Sequence, residues 1–177
     1  MDVTLSCHRD TPSGVASIHV AIEASAEGRL WLRYHVDALL RNIGLPDPAP
    51  SARADELWRS TCFELFARRS GRPDYLEFNF SPSSQWAAYR FAGYRDGMSE
   101  LELAESPAIG LDASEGHLAL EVALDFPCEW RDASLHVGLS AVIEETDGIK
   151  SYWALKHPAD KPDFHHPDGF VLELPPA

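Results

Sequence analysis

Apolar residues recur at every second position along most of this chain. Ala16, Ile18, Val20, Ile22 and Ala24 alternate with Ser17, His19, Ala21 and Glu23. Glu27-Gly28 then turns the chain into Leu30, Leu32, Tyr34 and Val36, with Trp31, Arg33 and His35 on the other parity. A period of two marks a strand with one face buried, and two such runs around a short glycine turn predict a hairpin. Leu118, Leu120, Val122, Leu124 and Phe126 predict another strand, as do Leu135, Val137, Leu139, Ala141 and Ile143. Asp147-Gly148 turns the latter into a strand at Ser151–Leu155, and Gln85 to Phe91 forms a further one, with Trp86 and Arg90 on one parity. Leu101 and Leu103 mark a weak strand. Phe170, Leu172 and Leu174 close the chain as a strand expected to pair with the N-terminal one. About ten short strands, with helical periodicity confined to a turn near 36–43, predict an all-β fold. The expected form is a single-domain antiparallel β-sandwich or jelly roll spanning residues 1–177.

Two stretches break the pattern. Pro46-Asp47-Pro48-Ala49-Pro50 lacks backbone donors and has fixed φ angles, so residues 44–55 read as an extended Pro-rich loop. Residues 151–168 contain Pro158, Pro162 and Pro167 among His157, His165, His166, Trp153 and Phe164. They read as a rigid Pro/His-rich loop, the kind of segment that carries binding residues at the end of a sandwich. Its plainer role is a plug, with Trp153 and Phe164 closing the sandwich end.

The densest chemistry lies between these stretches. Leu57 to Phe66 and Tyr75 to Ser81 both alternate. In the first, Leu57, Phe63 and Leu65 share the core parity, which leaves Trp58, Ser60, Cys62 and Glu64 opposite. In the second, Leu76, Phe78 and Phe80 point inward, which leaves Tyr75, Glu77, Asn79 and Ser81 opposite. Paired as neighbours, the strands would gather a tryptophan, two carboxylates and an amide on one face. That mixture suits a polar ligand with apolar patches, such as a sugar. Candidate ligand-binding residues are therefore Trp58, Trp86 and Trp153 as stacking plates and Glu64, Glu77, Asn79 and Arg90 for hydroxyls. His157 and His165 are candidates for the rim. Each tryptophan also has an ordinary use as core filling. Glu64 and Glu77 resemble the carboxylate pair of a glycoside hydrolase, but a structural pair neutralised by Arg90, Arg59 or another cation is the favoured reading. Cys62 reads as a small buried hydrophobe.

Charge and composition narrow the classes. The 177 residues carry a formal net charge of −13, which opposes nucleic acid and anionic membrane as partners. No apolar run reaches the roughly 18 residues of a spanning helix, and the N-terminus shows no signal-peptide pattern. The three cysteines, Cys7, Cys62 and Cys128, form neither a disulfide framework nor a Cys-x-x-Cys pair. The chain reads as soluble and cytoplasmic with reduced thiols. No nucleotide-binding or nucleophile-elbow motif occurs. No resident cofactor is expected. A divalent metal on His157, Asp163 and His165, or haem on His157 or His165, are the minor alternatives.

Trp58-x-x-x-Cys62-x-Glu64-Leu65-Phe66, followed by Tyr75-x-Glu77-Phe78-Asn79-x-Ser81-Pro82, resembles the DOMON-like superfamily, which includes the family 9 carbohydrate-binding modules. The resemblance covers residues 53–92 and 151–166. It implies a jelly-roll sandwich that binds sugar or, in other branches, haem. It places Trp58, Glu64, Glu77 and Asn79 on or near the ligand face. The functional expectation is a non-enzymatic binding domain for a carbohydrate or sugar-like small molecule. A carboxylate-pair or metal-assisted hydrolase and a haem-binding domain are the alternatives.

Overall fold

In the computed structural model, which describes residues Met1 to Pro176, alternation becomes two packed antiparallel sheets joined at one strand. The strands are β1 (Asp2–Cys7), β2 (Ser17–Ala24), β3 (Arg29–Asp37), β4 (Cys62–Arg69), β5 (Tyr75–Phe80) and β6 (Trp86–Phe91). They continue with β7 (Ser99–Glu100), β8 (Ala108–Ser114), β9 (His117–Asp125), β10 (Leu135–Glu144), β11 (Lys150–Ala154) and β12 (Leu172–Leu174). Their order is β7-β6-β5-β4-β10-β11-β1-β2-β3-β9-β8, with β12 added beside β10. The chain is all-β apart from short turns and one helical turn, α1 (Cys128–Arg131).

β1 makes the corner. Its Asp2–Leu5 half pairs with β2, and Ser6 and Cys7 pair with β11. The sheet thereby folds over, and the inward parities of both halves meet in one core. Ile18, Val20 and Ile22 of β2, Leu30, Leu32, Tyr34 and Val36 of β3, and Leu118, Leu120 and Val122 of β9 come from the first sheet. Phe63, Leu65, Leu76, Phe78, Phe80, Leu139 and Ala141 come from the second. Tyr34 crosses the core and donates its hydroxyl to the Glu64 carbonyl at 2.8 Å, so the one polar atom it buries is satisfied.

The outer faces differ. On the first sheet, Trp31, Arg33 and Glu121 meet solvent, as strict alternation predicts. On the second, β4, β5 and most of β10 are buried on both parities, because loops cover the outer face. Phe66, Tyr75, Ala87, Tyr89, Phe91 and Phe170 form a second apolar cluster there, with Leu57 and Phe164 packed against it.

The hairpins at Gly28 and Gly148 form as the sequence predicts. Both glycines adopt positive φ, 83° and 85°, which a side chain would disfavour. Three expectations fail. The C-terminal strand pairs with Leu135–Val137 of β10, not with the N-terminal strand. Leu57–Arg59 is a 3-10 turn after a left-handed Glu56, so β4 begins at Cys62 and Leu57 packs in the outer cluster. The weak strand lies at Ser99–Glu100, before Leu101, whose side chain belongs to the core.

Candidate functional site

Register pairs place side chains on the same face of a sheet, so the outer face of the second sheet can be read row by row. One row is Ser140, Glu64, Asn79 and Ala87. The next is Gly138, Phe66, Glu77, Tyr89 and Glu100. The third is His136, Arg68, Tyr75 and Phe91. Glu64 and Glu77 are thus diagonal neighbours across β4 and β5, and Asn79 stands beside both.

Glu64, Glu77, Tyr89 and Phe91 from these rows form the floor of a cleft of about 1110 Å³. Asp55, Glu56 and Trp58 wall one side, having arrived through the 44–55 loop. That loop is fixed to the β6 edge by backbone bonds from Ala54 to the Trp86 carbonyl and from Trp86 to the Ala52 carbonyl, at 2.9 and 3.1 Å. Arg95 and Met98, from the turn after β6, wall another side. Pro162, Phe164 and His165 complete the wall from the loop after β11, whose Tyr152 also lines the cleft. Two sequence-distant clusters therefore meet at one cavity. Asp163 joins the last two walls, pairing with Arg95 at 2.7 Å and accepting a hydrogen bond from the Tyr94 hydroxyl.

The floor carries buried acids. Burial, then repulsion from Glu77, pushes the Glu64 carboxyl up to about 8. Burial pushes Glu77 up to about 7. Ser140 donates its hydroxyl to Glu64 Oε2 at 3.0 Å, and the Asn79 amide donates to Glu77 Oε1 at 2.7 Å. Neither cation expected to neutralise them does so. Arg90 bonds Glu129 at 2.6 Å and Arg59 bonds Glu56 at 2.7 Å. Asn79 Oδ1 is buried without a hydrogen-bond partner among the described residues.

His165 is packed among aromatic rings, with Phe66, Tyr75 and Phe91 centroids at 5.2, 5.9 and 5.1 Å. Burial, helped by Arg95, lowers its imidazole to about 4, so it is neutral at neutral pH. Its Nδ1 shares a 2.8 Å hydrogen bond with the Tyr75 hydroxyl, and that oxygen also accepts the Arg95 backbone N–H at 3.3 Å. The phenol proton is then free to go to Nδ1. With the phenol donating, the imidazole proton sits on Nε2, 3.8 Å from Glu77 Oε2. Burial raises the Tyr75 phenol to about 12, which keeps this donor protonated.

Of the sequence candidates, Trp58, Glu64, Glu77 and His165 line the cleft, and Asn79 is buried beside Glu64 and Glu77, outside the lining. Trp58 is half-exposed at the mouth, with the Arg59 guanidinium 5.5 Å from its ring centre. Three candidates point the other way. Trp86 and Trp153 are on inward parities of β6 and β11 and fill the inter-sheet core. Arg90 shares the Trp86 parity. His157 lies outside the cleft lining, with Nε2 2.8 Å from the Ser6 carbonyl. His157, Asp163 and His165 are not gathered into a metal-binding set; no group of three or more such side chains is, among the described residues.

Sequence reading missed Tyr89, Arg95, Asp55 and Phe164 as lining residues. Tyr89 was readable: once Trp86 is inward, alternation puts Ala87, Tyr89 and Phe91 outward. Arg95 sits in a turn at positive φ, 53°, where no periodicity reports direction.

No protein-family description matches the chain, and no curated protein matches it in sequence. Solved structures do resemble it. A candidate carbohydrate-binding protein from Bacteroides uniformis superposes with a TM-score of 0.67 at 13% identity, over 97% of this chain and 84% of that one. A family 9 carbohydrate-binding module from Caldicellulosiruptor kristjanssonii, solved with glucose, superposes with a TM-score of 0.55 at 8% identity. That match covers 98% of this chain and 83% of the module. The chain shares the fold of such modules.

Proposed function

We propose that the chain is a binding domain for a carbohydrate or sugar-like small molecule and that the ligand lies in the cleft above β4 and β5. The observation that carries this reading is the pairing of Trp58, a half-exposed indole at the mouth, with polar groups buried in the floor. An indole face covers the C–H face of a sugar ring, and fixed acceptors take its hydroxyls. Glu64, Glu77 and Asn79 are the acceptors, while Tyr89 and His165 shape the sides. The two fold neighbours, one of which was solved with glucose, support this reading. We further assign residues 1–177 to a single DOMON-like domain of the family 9 carbohydrate-binding type, on the Trp58–Phe66 and Tyr75–Pro82 motifs. Unpaired Cys7, Cys62 and Cys128 support a reducing, cytoplasmic setting.

A thermal-shift screen of saccharides followed by calorimetry tests the reading. A bound sugar stabilises the protein by about 2.7 kcal/mol at a hundredfold excess over Kd. Trp58→Ala abolishes binding and leaves the melting temperature nearly unchanged, because half of the indole is already in solvent. A large fall in melting temperature with unchanged affinity would overturn the assignment of Trp58.

One observation favours a second reading, glycoside hydrolysis. An acid held near 8, as Glu64 is, remains protonated at neutral pH and can serve as a general acid. Turnover of a glycoside panel that disappears in Glu64→Gln would establish it.

A further inference from the structure

We infer that the sugar this cleft takes carries a protonated amine, its ammonium group seated among Glu64, Glu77 and Asn79. The inference deepens the carbohydrate reading and rests on it.

The carboxylates of the cleft are unevenly partnered. Five carboxylates line the cleft: Asp55, Glu56, Glu64, Glu77 and Glu100. The three at the rim are matched. Asp55 accepts the Tyr89 hydroxyl at 2.6 Å, Glu56 pairs with Arg59, and Glu100 lies 3.4 Å from Arg53. Among the described residues the two in the floor have no arginine or lysine within ion-pair distance, and Arg95 favours their ionised forms only from farther off. The one guanidinium lining the cleft, Arg95, is committed to Asp163. The nearest imidazole, His165, is neutral.

The Asn79 carbonyl adds an independent observation. It is buried and without a hydrogen-bond partner among the described residues, although it stands in the same row as Glu64. Asn79 is 1% exposed, so solvent does not serve that oxygen in bulk. A buried acceptor left unpaired is costly. Besides protons of their own, Glu64, Glu77 and Asn79 therefore form a group of acceptors served by only the Ser140 hydroxyl and the Asn79 amide, with the Asn79 carbonyl left unpaired among the described residues. An ammonium group offers three donors and no acceptor, and its charge balances a buried carboxylate. A hydroxyl offers one donor, brings lone pairs of its own and carries no charge. The overall charge of −13 also draws cations towards the protein.

The groups facing the two acids are identifiable on every side. Cys62 lies on β4, Asn79 and Tyr75 on β5, Tyr89 on β6 and Ser140 on β10, with Arg95, Asp163 and His165 on the walls. Burial raises the Cys62 thiol and the two phenols, so none of these adds charge near neutrality. Near pH 7 the acid pair retains protons. A cation seated between the acids favours their ionised forms and expels those protons.

Calorimetry of the whole protein with glucose, glucosamine and N-acetylglucosamine provides the test, because these rings differ at one carbon. Titrations near pH 7 in two buffers of different ionisation enthalpy report the protons released. Glucosamine is expected to bind about tenfold or more tighter than the other two. It is also expected to release protons where glucose does not, and Glu77→Gln to remove the preference. Glucose binding as tightly as glucosamine, with equal proton release, overturns the amine assignment and leaves the carbohydrate reading standing. Failure of all three to bind overturns both.

Discussion

At the scale of single residues, the two floor acids link stability to pH. Their folded-state values, about 8 for Glu64 and about 7 for Glu77, lie above the ordinary 4.5 of a free glutamic acid. A raised acid favours the folded state while protonated. That contribution is whole below about 4.5 and is lost as pH rises through 7 and 8. His165 has the opposite sign. Its value is lowered from 6.5 to about 4, so it supports the fold when neutral, and that support fades as pH falls through 4. The melting temperature is therefore expected to decline between about pH 4.5 and pH 8, and Glu64→Gln or Glu77→Gln to flatten the decline. Each 1 kcal/mol moves the midpoint by roughly 2–4 °C in a chain of this size, which circular dichroism resolves. A flat wild-type profile across that range would contradict the burial argument. Glu64, Glu77 and Asn79 were legible because strict alternation put polar groups where a sandwich core would not. Trp58 was misplaced as structure. Its apparent strand parity ran through residues that form a 3-10 turn, since a short turn and a strand end look alike in sequence.

At the scale of elements, the cleft depends on how closely its outer wall approaches the sheet. Gly138 shows this contact. A Cβ built there would meet the Phe170 ring at 2.8 Å, and Phe170 stacks on Phe66 at 5.7 Å. A bare backbone at this β10 position lets the loop after β11 return across the sheet. Gly138→Ala is expected to cost about 1–3 kcal/mol in a urea titration, by overpacking. It should also weaken ligand binding, because Phe170 leads directly from the loop that carries Phe164 and His165. Unchanged stability would show that the ring moves aside freely. The sequence announced that loop through its prolines and histidines, and its position above the Glu64 face follows from contacts that local periodicity does not encode. Trp86, Arg90 and Trp153 were expected on the ligand side but lie on inward parities. In a strand buried on both faces, such as β6, alternation of polar and apolar residues no longer names the outward side.

At the scale of the whole molecule, the two sheets divide the work. The first, β8-β9-β3-β2 with half of β1, supplies core on one side and an ordinary solvated face on the other. The second supplies core inward and a loop-covered cleft outward. The all-β sandwich was readable from periodicity alone. The pairing of β12 with β10 was not, because a three-residue strand carries too little pattern to choose an edge. The solvated face also holds a half-exposed tryptophan, Trp31. The two indoles therefore give rival positions for a stacked sugar on opposite sides of the molecule. An amide-resolved NMR titration with glucosamine distinguishes them most directly. Shifts are expected at Trp58, Glu64, Glu77, Asn79 and Tyr89, with the Trp31 face silent. Shifts confined to Trp31 and its neighbours on β2, β3 and β9 would contradict it.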